Sequence, residues 1–176
     1  MVQHASPEST VDRAGWTGGS AGDDQNTSNI HNYARPFVTS TWITGDVGMD
    51  SAPVGPAIFT LDDTEDPEIH VDHKVKYSAF AIQGGFAGAP SLTIGLCNGS
   101  SSPFWSVTNS SLNTSQFTEY EVEMSTIYAA MISDYEDLRL QVTNNGTDMG
   151  DSVKIAWIYL EVPDKPGGSP FIIFVE

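Results

Sequence analysis

The 176-residue sequence predicts an all-β protein built as one antiparallel β-sandwich. Two observations carry that expectation. Short β-branched and aromatic segments recur along the chain, separated by Gly, Pro, Asn and Asp turns. Only one short stretch repeats its apolar residues at helical spacing. The apolar fraction of 39%, with 4 Trp, 8 Phe and 6 Tyr, supplies a core for a single domain and argues against a disordered acidic chain.

Residues 1–35 hold little apolar material and much Gly, Ser, Asp and Asn. They are expected to form an extended arm, with Trp16 anchoring it on a body. The body is expected over 36–163. Segment 37–44 (FVTSTWIT) is a strand by composition, and 57–61 (AIFTL) is the next, closed by the acidic loop 62–67. In 74–82, Val75, Tyr77 and Ala79 face one way. In 91–97, Leu92, Ile94 and Leu96 share a face, and Asn98-Gly99 makes the turn. A short strand follows at 104–108.

Segment 117–124 places Tyr120, Val122 and Met124 on one face and three carboxylates on the other. Ser125 is a candidate cap for a helix reaching toward Asp134, with Ile127, Met131 and Ile132 at helical spacing. Segments 138–142 and 153–162 resume the strand pattern; in the latter, Val153, Ile155, Trp157 and Tyr159 are expected on one side. Residues 164–176 read as a linker and an apolar tail. Phe171, Ile172, Ile173, Phe174 and Val175 are costly to leave in water. They form either the last strand of the same sheet or a strand added to a partner's sheet edge.

Charge narrows the function. There are 23 Asp+Glu against 7 Lys+Arg, a net charge of -16. Such a surface repels itself in dilute buffer, and in molar salt the Debye length falls to about 3 Å and the repulsion fades. The composition therefore reads as adaptation to brine. It disfavours nucleic acid and anionic membranes as partners, since both demand clustered Lys and Arg. The one cysteine, Cys97, sits in an apolar segment and reads as a small buried hydrophobe. No basic-then-apolar leader opens the sequence and no apolar run reaches membrane-span length, so the chain is expected to fold in the cytoplasm. Five Asn-x-Ser/Thr sequons, at Asn26, Asn98, Asn109, Asn113 and Asn145, read as surface loops.

A set of short pieces runs in order along the chain: Gly15-Trp16, Asp72-His73-Lys74-Val75-Lys76-Tyr77, the stretch 92–96, Phe117-Thr118-Glu119-Tyr120, the stretch 129–132 with Asp134-Tyr135 and Asp137-Leu138-Arg139-Leu140, and finally Ile155-Ala156-Trp157 and Leu160-Glu161-Val162-Pro163-Asp164. Together they resemble a jelly-roll family of virion proteins from tailed bacterial and archaeal viruses. The resemblance spans residues 15–165. It implies a jelly-roll sandwich, a structural or attachment role on a virus particle, and no catalytic residues. The scarcity of basic residues and the apolar tail depart from that family. With the charge argument, the implied source is a virus of a halophilic archaeon.

Other constellations have ordinary readings. Gly18-Gly19-Ser20-Ala21-Gly22 matches a nucleophile elbow as a string, yet polar arm flanks it where a strand and helix are required. His70 and His73 lie three apart, on opposite faces if the segment is a strand; His70 and Asp72 share a face without an evident third ligand. Asp62, Asp63, Glu65 and Asp66, and likewise Asp148 and Asp151, lack the spacing of a dedicated Ca²⁺ loop and read as solvated acid. No cofactor motif and no catalytic constellation stands out.

The first functional expectation is therefore a virion subunit, a decoration, turret, tail or fibre jelly roll. It is assembled in the host cytoplasm and bound to copies of itself and to other virion proteins through Trp16 and residues 171–175. The alternatives are a small major capsid jelly roll of a tailless icosahedral virus, and a carbohydrate-binding module that takes a host surface glycan on Trp105 or Tyr120.

Overall fold

The computed structural model describes residues 2–12, 14–18, 42–47, 55–86 and 88–165. Over these residues the chain is a jelly-roll-type sandwich of two antiparallel sheets. Its strands are β1 (Val2–Ala5), β2 (Pro7–Asp12), β3 (Thr17–Gly18), β4 (Ile43–Asp46), β5 (Ala57–Leu61), β6 (Lys74–Ile82), β7 (Leu92–Asn98), β8 (Trp105–Asn109), β9 (Thr118–Glu123), β10 (Leu138–Asn144) and β11 (Ser152–Pro163). One helical turn, α1 (Thr126–Ala129), lies between β9 and β10. The first sheet runs β3-β4-β11-β6-β9, with β1 also paired to β11; the second runs β2-β5-β10-β7-β8.

Period-two patterning explains most of this. In β10, Leu138, Leu140 and Val142 are buried, and in β7 Leu92, Ile94 and Leu96 are buried opposite them. Val75, Tyr77, Ala79 and Ala81 of β6 meet these from the other sheet in one continuous core. Each large side chain so buried contributes about 1.5–3 kcal/mol. In β9 the carboxylates Glu119, Glu121 and Glu123 are exposed, and Met124 just beyond is buried. Cys97 is fully buried, and burial pushes its thiol above the ordinary range.

Within the stretch expected as an arm, residues 2–12 belong to the sandwich. β1 pairs antiparallel with β11, from Val2↔Pro163 to Ala5↔Leu160. After Ser6 the chain crosses to the second sheet, where β2 pairs with β5. Polar composition hid these strands, because an edge strand is held by backbone hydrogen bonds and needs few apolar side chains. Pro7 sits at the first position of β2, where a strand tolerates it. Trp16 is buried: it is 1% exposed, and its Nε1 donates to the Gly55 carbonyl at 3.2 Å. It lies against Gly45, where an added Cβ would stand 2.7 Å from the indole.

β4 runs two residues past the end expected for the 37–44 strand; residues 37–41 lie outside the described residues. The tail residues 171–175 lie outside them as well.

Two further expectations change. α1 is a single turn, and Ser125 makes no side-chain capping bond. Ala129 and Ile132 turn inward, whereas Ile127 (74% exposed), Tyr128 and Met131 face outward. The larger change is in β11. Its register against β6 shifts between Ile155 and Trp157. That bulge inserts one residue and reverses which faces the side chains take. Val153 and Ile155 enter the core, as do Ile158, Leu160 and Val162, but Trp157 and Tyr159 go to the outer face.

Candidate functional site

The bulge gives the first sheet an outer face that is aromatic where a sandwich usually presents polar residues. Trp157 and Tyr159 stack at 5.7 Å between centroids, and the His4 ring lies 4.7 Å from Tyr159. Phe117, just before β9, packs against this pair. It makes an edge contact with Phe80 of β6 at 4.7 Å and a tilted contact with Trp42 at 6.0 Å. Trp157 and Tyr159 are each only 3% exposed. Phe117 packs against them, and Trp42, Phe80 and Phe117 are partly exposed.

Register places charge beside these rings. Tyr159 pairs with Lys76, and Lys76 with Glu121. The Lys76 ammonium lies 2.8 Å from Glu161 and 3.3 Å from Glu121, and Lys74 lies 2.8 Å from Glu121. These hydrogen bonds hold both lysines above the ordinary lysine range. Lys154, directly across from Phe80, places its ammonium 5.1 Å from the Trp42 ring centroid and 5.5 Å from that of Phe80. The face thus offers aromatic surface, hydrogen-bond donors and carboxylate acceptors together. Such a combination can hold a polyhydroxylated ligand.

A second polar group lies at the end of the sandwich where β6 begins. His73 is fully buried, and its Nδ1 lies 3.0 Å from the Val71 carbonyl. A carbonyl only accepts, so Nδ1 carries the proton and Nε2 accepts from the Tyr135 hydroxyl at 2.8 Å. The same hydroxyl oxygen accepts from His70 Nδ1 at 3.0 Å. Burial holds His73 below its ordinary value and pushes Tyr135 above the usual tyrosine range. This directed chain ties the 62–73 loop to the segment before β10. Beside it lies a cleft of 680 Å³ lined by Asp63, Thr64, Glu65, Asp66, Asp134 and Glu136.

His70 and His73 therefore share a tyrosine, and no three His, Cys, Asp or Glu side chains converge on a metal position among the described residues. Asp151 is structural. It is 1% exposed and accepts from the backbone N–H groups of Gly84, Thr147 and Asp148. Burial pushes its carboxyl up, but those donors outweigh burial and hold it below the ordinary value.

The two aromatics expected to take a glycan are spoken for. Trp105 is 7% exposed and belongs to the core. Tyr120 stacks on Tyr77 at 5.2 Å, and its hydroxyl accepts from the Asn113 N–H at 2.7 Å. Neither lies on the outer aromatic face. Sequence reasoning missed Trp157, Tyr159, Phe80, Phe117 and Lys154 as a group, because strict alternation assigned the first two to the core.

No known family profile matches the chain, and no curated protein does. Solved structures do. A xylan-binding module, CBM15, superposes with a TM-score of 0.52 at 13% identity, covering 94% of this chain and 99% of that one. TmCBM61 in complex with β-1,4-galactotriose gives 0.42 at 12% identity, covering 90% and 86%. The α-L-arabinofuranosidase MgGH51 gives 0.45 at 18% identity, covering 89% of this chain and 26% of the enzyme. At 13% identity the likeness to the xylan-binding module is one of fold alone.

Proposed function

We propose that the protein is a non-catalytic recognition module that binds carbohydrate on the outer face of its first sheet. The observation that carries this reading is the ring cluster of Trp42, Phe80 and Phe117, with Phe117 packed against Trp157 and Tyr159. Sugar rings present C–H faces that pack on aromatic rings, and their hydroxyls bond to flanking charged groups, here Lys76, Glu121 and Glu161. The reading assigns no bond-making step to any residue.

The test is a polysaccharide panel, with affinity measured for wild type and for Phe117→Ala and Phe80→Ala, each checked for an unchanged fold by circular dichroism. Binding by wild type that weakens about tenfold or more in either variant supports the reading. Failure to bind any member of the panel, or variants that bind as well as wild type, overturns it.

A virion subunit acting by assembly is the second reading. The exposed Ile127, Tyr128 and Met131 on one turn favour it, because apolar side chains grouped on the surface invite a protein neighbour. Sedimentation of the full chain in high salt tests this: oligomers that dissociate on Ile127→Ser with Met131→Ser support it, and a monomer at all concentrations overturns it.

A further inference from the structure

Lys154 stands apart from the other described cations. Lys74, Lys76, Arg139 and Lys165 each lie within 4 Å of a carboxylate. Lys154 has no carboxylate partner among the described residues; its ammonium stands over the rings of Trp42 and Phe80 instead. In a chain with 23 acids and 7 bases, a cation set over aromatic rings rather than beside a described carboxylate is the least expected arrangement. The position is fixed from both sides, since Lys154 pairs with Thr44 of β4 and with Phe80 of β6. Its alkyl stem can lie along the rings while the ammonium reaches solvent.

We propose that Lys154 is the anion-recognition residue of this face, and that the glycan bound there carries an acidic group, a uronate carboxylate or a sulfate ester. This rests on the carbohydrate reading above and adds the ligand's charge to it. The acidic group sits at the Lys154 end of the face. The other end carries Glu121 and Glu161, whose carboxylates are paired with Lys74 and Lys76; that charge-balanced cluster suits neutral hydroxyls. A competing account leaves Lys154 as a cation resting on aromatic faces with no ligand role. The two accounts differ in what removal of the charge does to ligand selection.

The experiment compares a glucuronic-acid-substituted xylan, the same polymer after carboxyl reduction, and a sulfated polysaccharide, on wild type, Lys154→Gln and Lys154→Arg. Wild type is expected to bind one or both acidic polymers about tenfold more tightly than the reduced one. The Gln variant should lose that preference, binding acidic and reduced polymers alike, and the Arg variant should retain the preference. Which acidic polymer is preferred identifies carboxylate or sulfate. Equal binding of acidic and reduced polymers by wild type, or a preference that survives in the Gln variant, overturns the inference and leaves the carbohydrate reading standing. Binding to none of the three, nor to the wider panel, removes both.

Discussion

The Tyr135 hydroxyl donates to Nε2 of His73 across 2.8 Å, joining residues 62 apart in sequence inside a buried pocket. The bond requires a neutral imidazole, because the other ring nitrogen already donates to Val71. His73 is held below its ordinary value of 6.5 by burial, so the folded protein resists a proton that the unfolded chain accepts. Unfolding therefore takes up a proton as pH falls below about 6.5, and stability declines with it. Urea midpoints at about pH 7.5 and pH 5.5 should differ in wild type and differ less in His73→Gln. Tyr135→Phe should cost about 1–3 kcal/mol at neutral pH, since it leaves a buried acceptor unpaired.

Gly45 and Trp16 make a second sharp expectation. Any side chain at 45 meets the indole at under 3 Å, and the backbone of β4 is held by β11 on one side and β3 on the other. Gly45→Ala should destabilise by about 1–3 kcal/mol through overpacking. Chemical denaturation followed by Trp fluorescence measures it. A neutral result would mean that the indole moves aside freely.

Salt should stabilise this protein. A net charge of -16 is screened as ionic strength rises from about 0.1 M, where the Debye length is about 10 Å, to about 1 M, where it is about 3 Å. Every 1 kcal/mol of relieved repulsion should raise Tm by roughly 2–4 °C for a chain of this size. Calorimetry across a NaCl series checks this, and a flat or falling Tm would refute the brine reading.

Legibility in the sequence followed the simplicity of the physics. β10 and β7 were readable because their buried residues alternate without interruption. The same rule failed on β11, where a backbone bulge near Ala156 breaks the alternation and neither Gly nor Pro marks it. β1 and β2 were unreadable for a different reason: their partners are more than forty residues away, and their own side chains carry little apolar signal. The His70–Tyr135–His73 chain and the ring floor under Lys154 arise only when distant segments meet. No local pattern encodes them.

The pairing of β1 with β11 constrains how the molecule can be made. Val2 finds its neighbour at Pro163, so on the ribosome the N-terminal strand waits, unpaired, until almost all of the described chain has emerged. Closing so long a loop is slow, and an unpaired strand edge in the interval is open to wrong partners. A circular permutant that links residue 165 to residue 2 and opens the chain in a surface turn would make that contact local. It should therefore fold faster than the natural order, with the same sheets at the end.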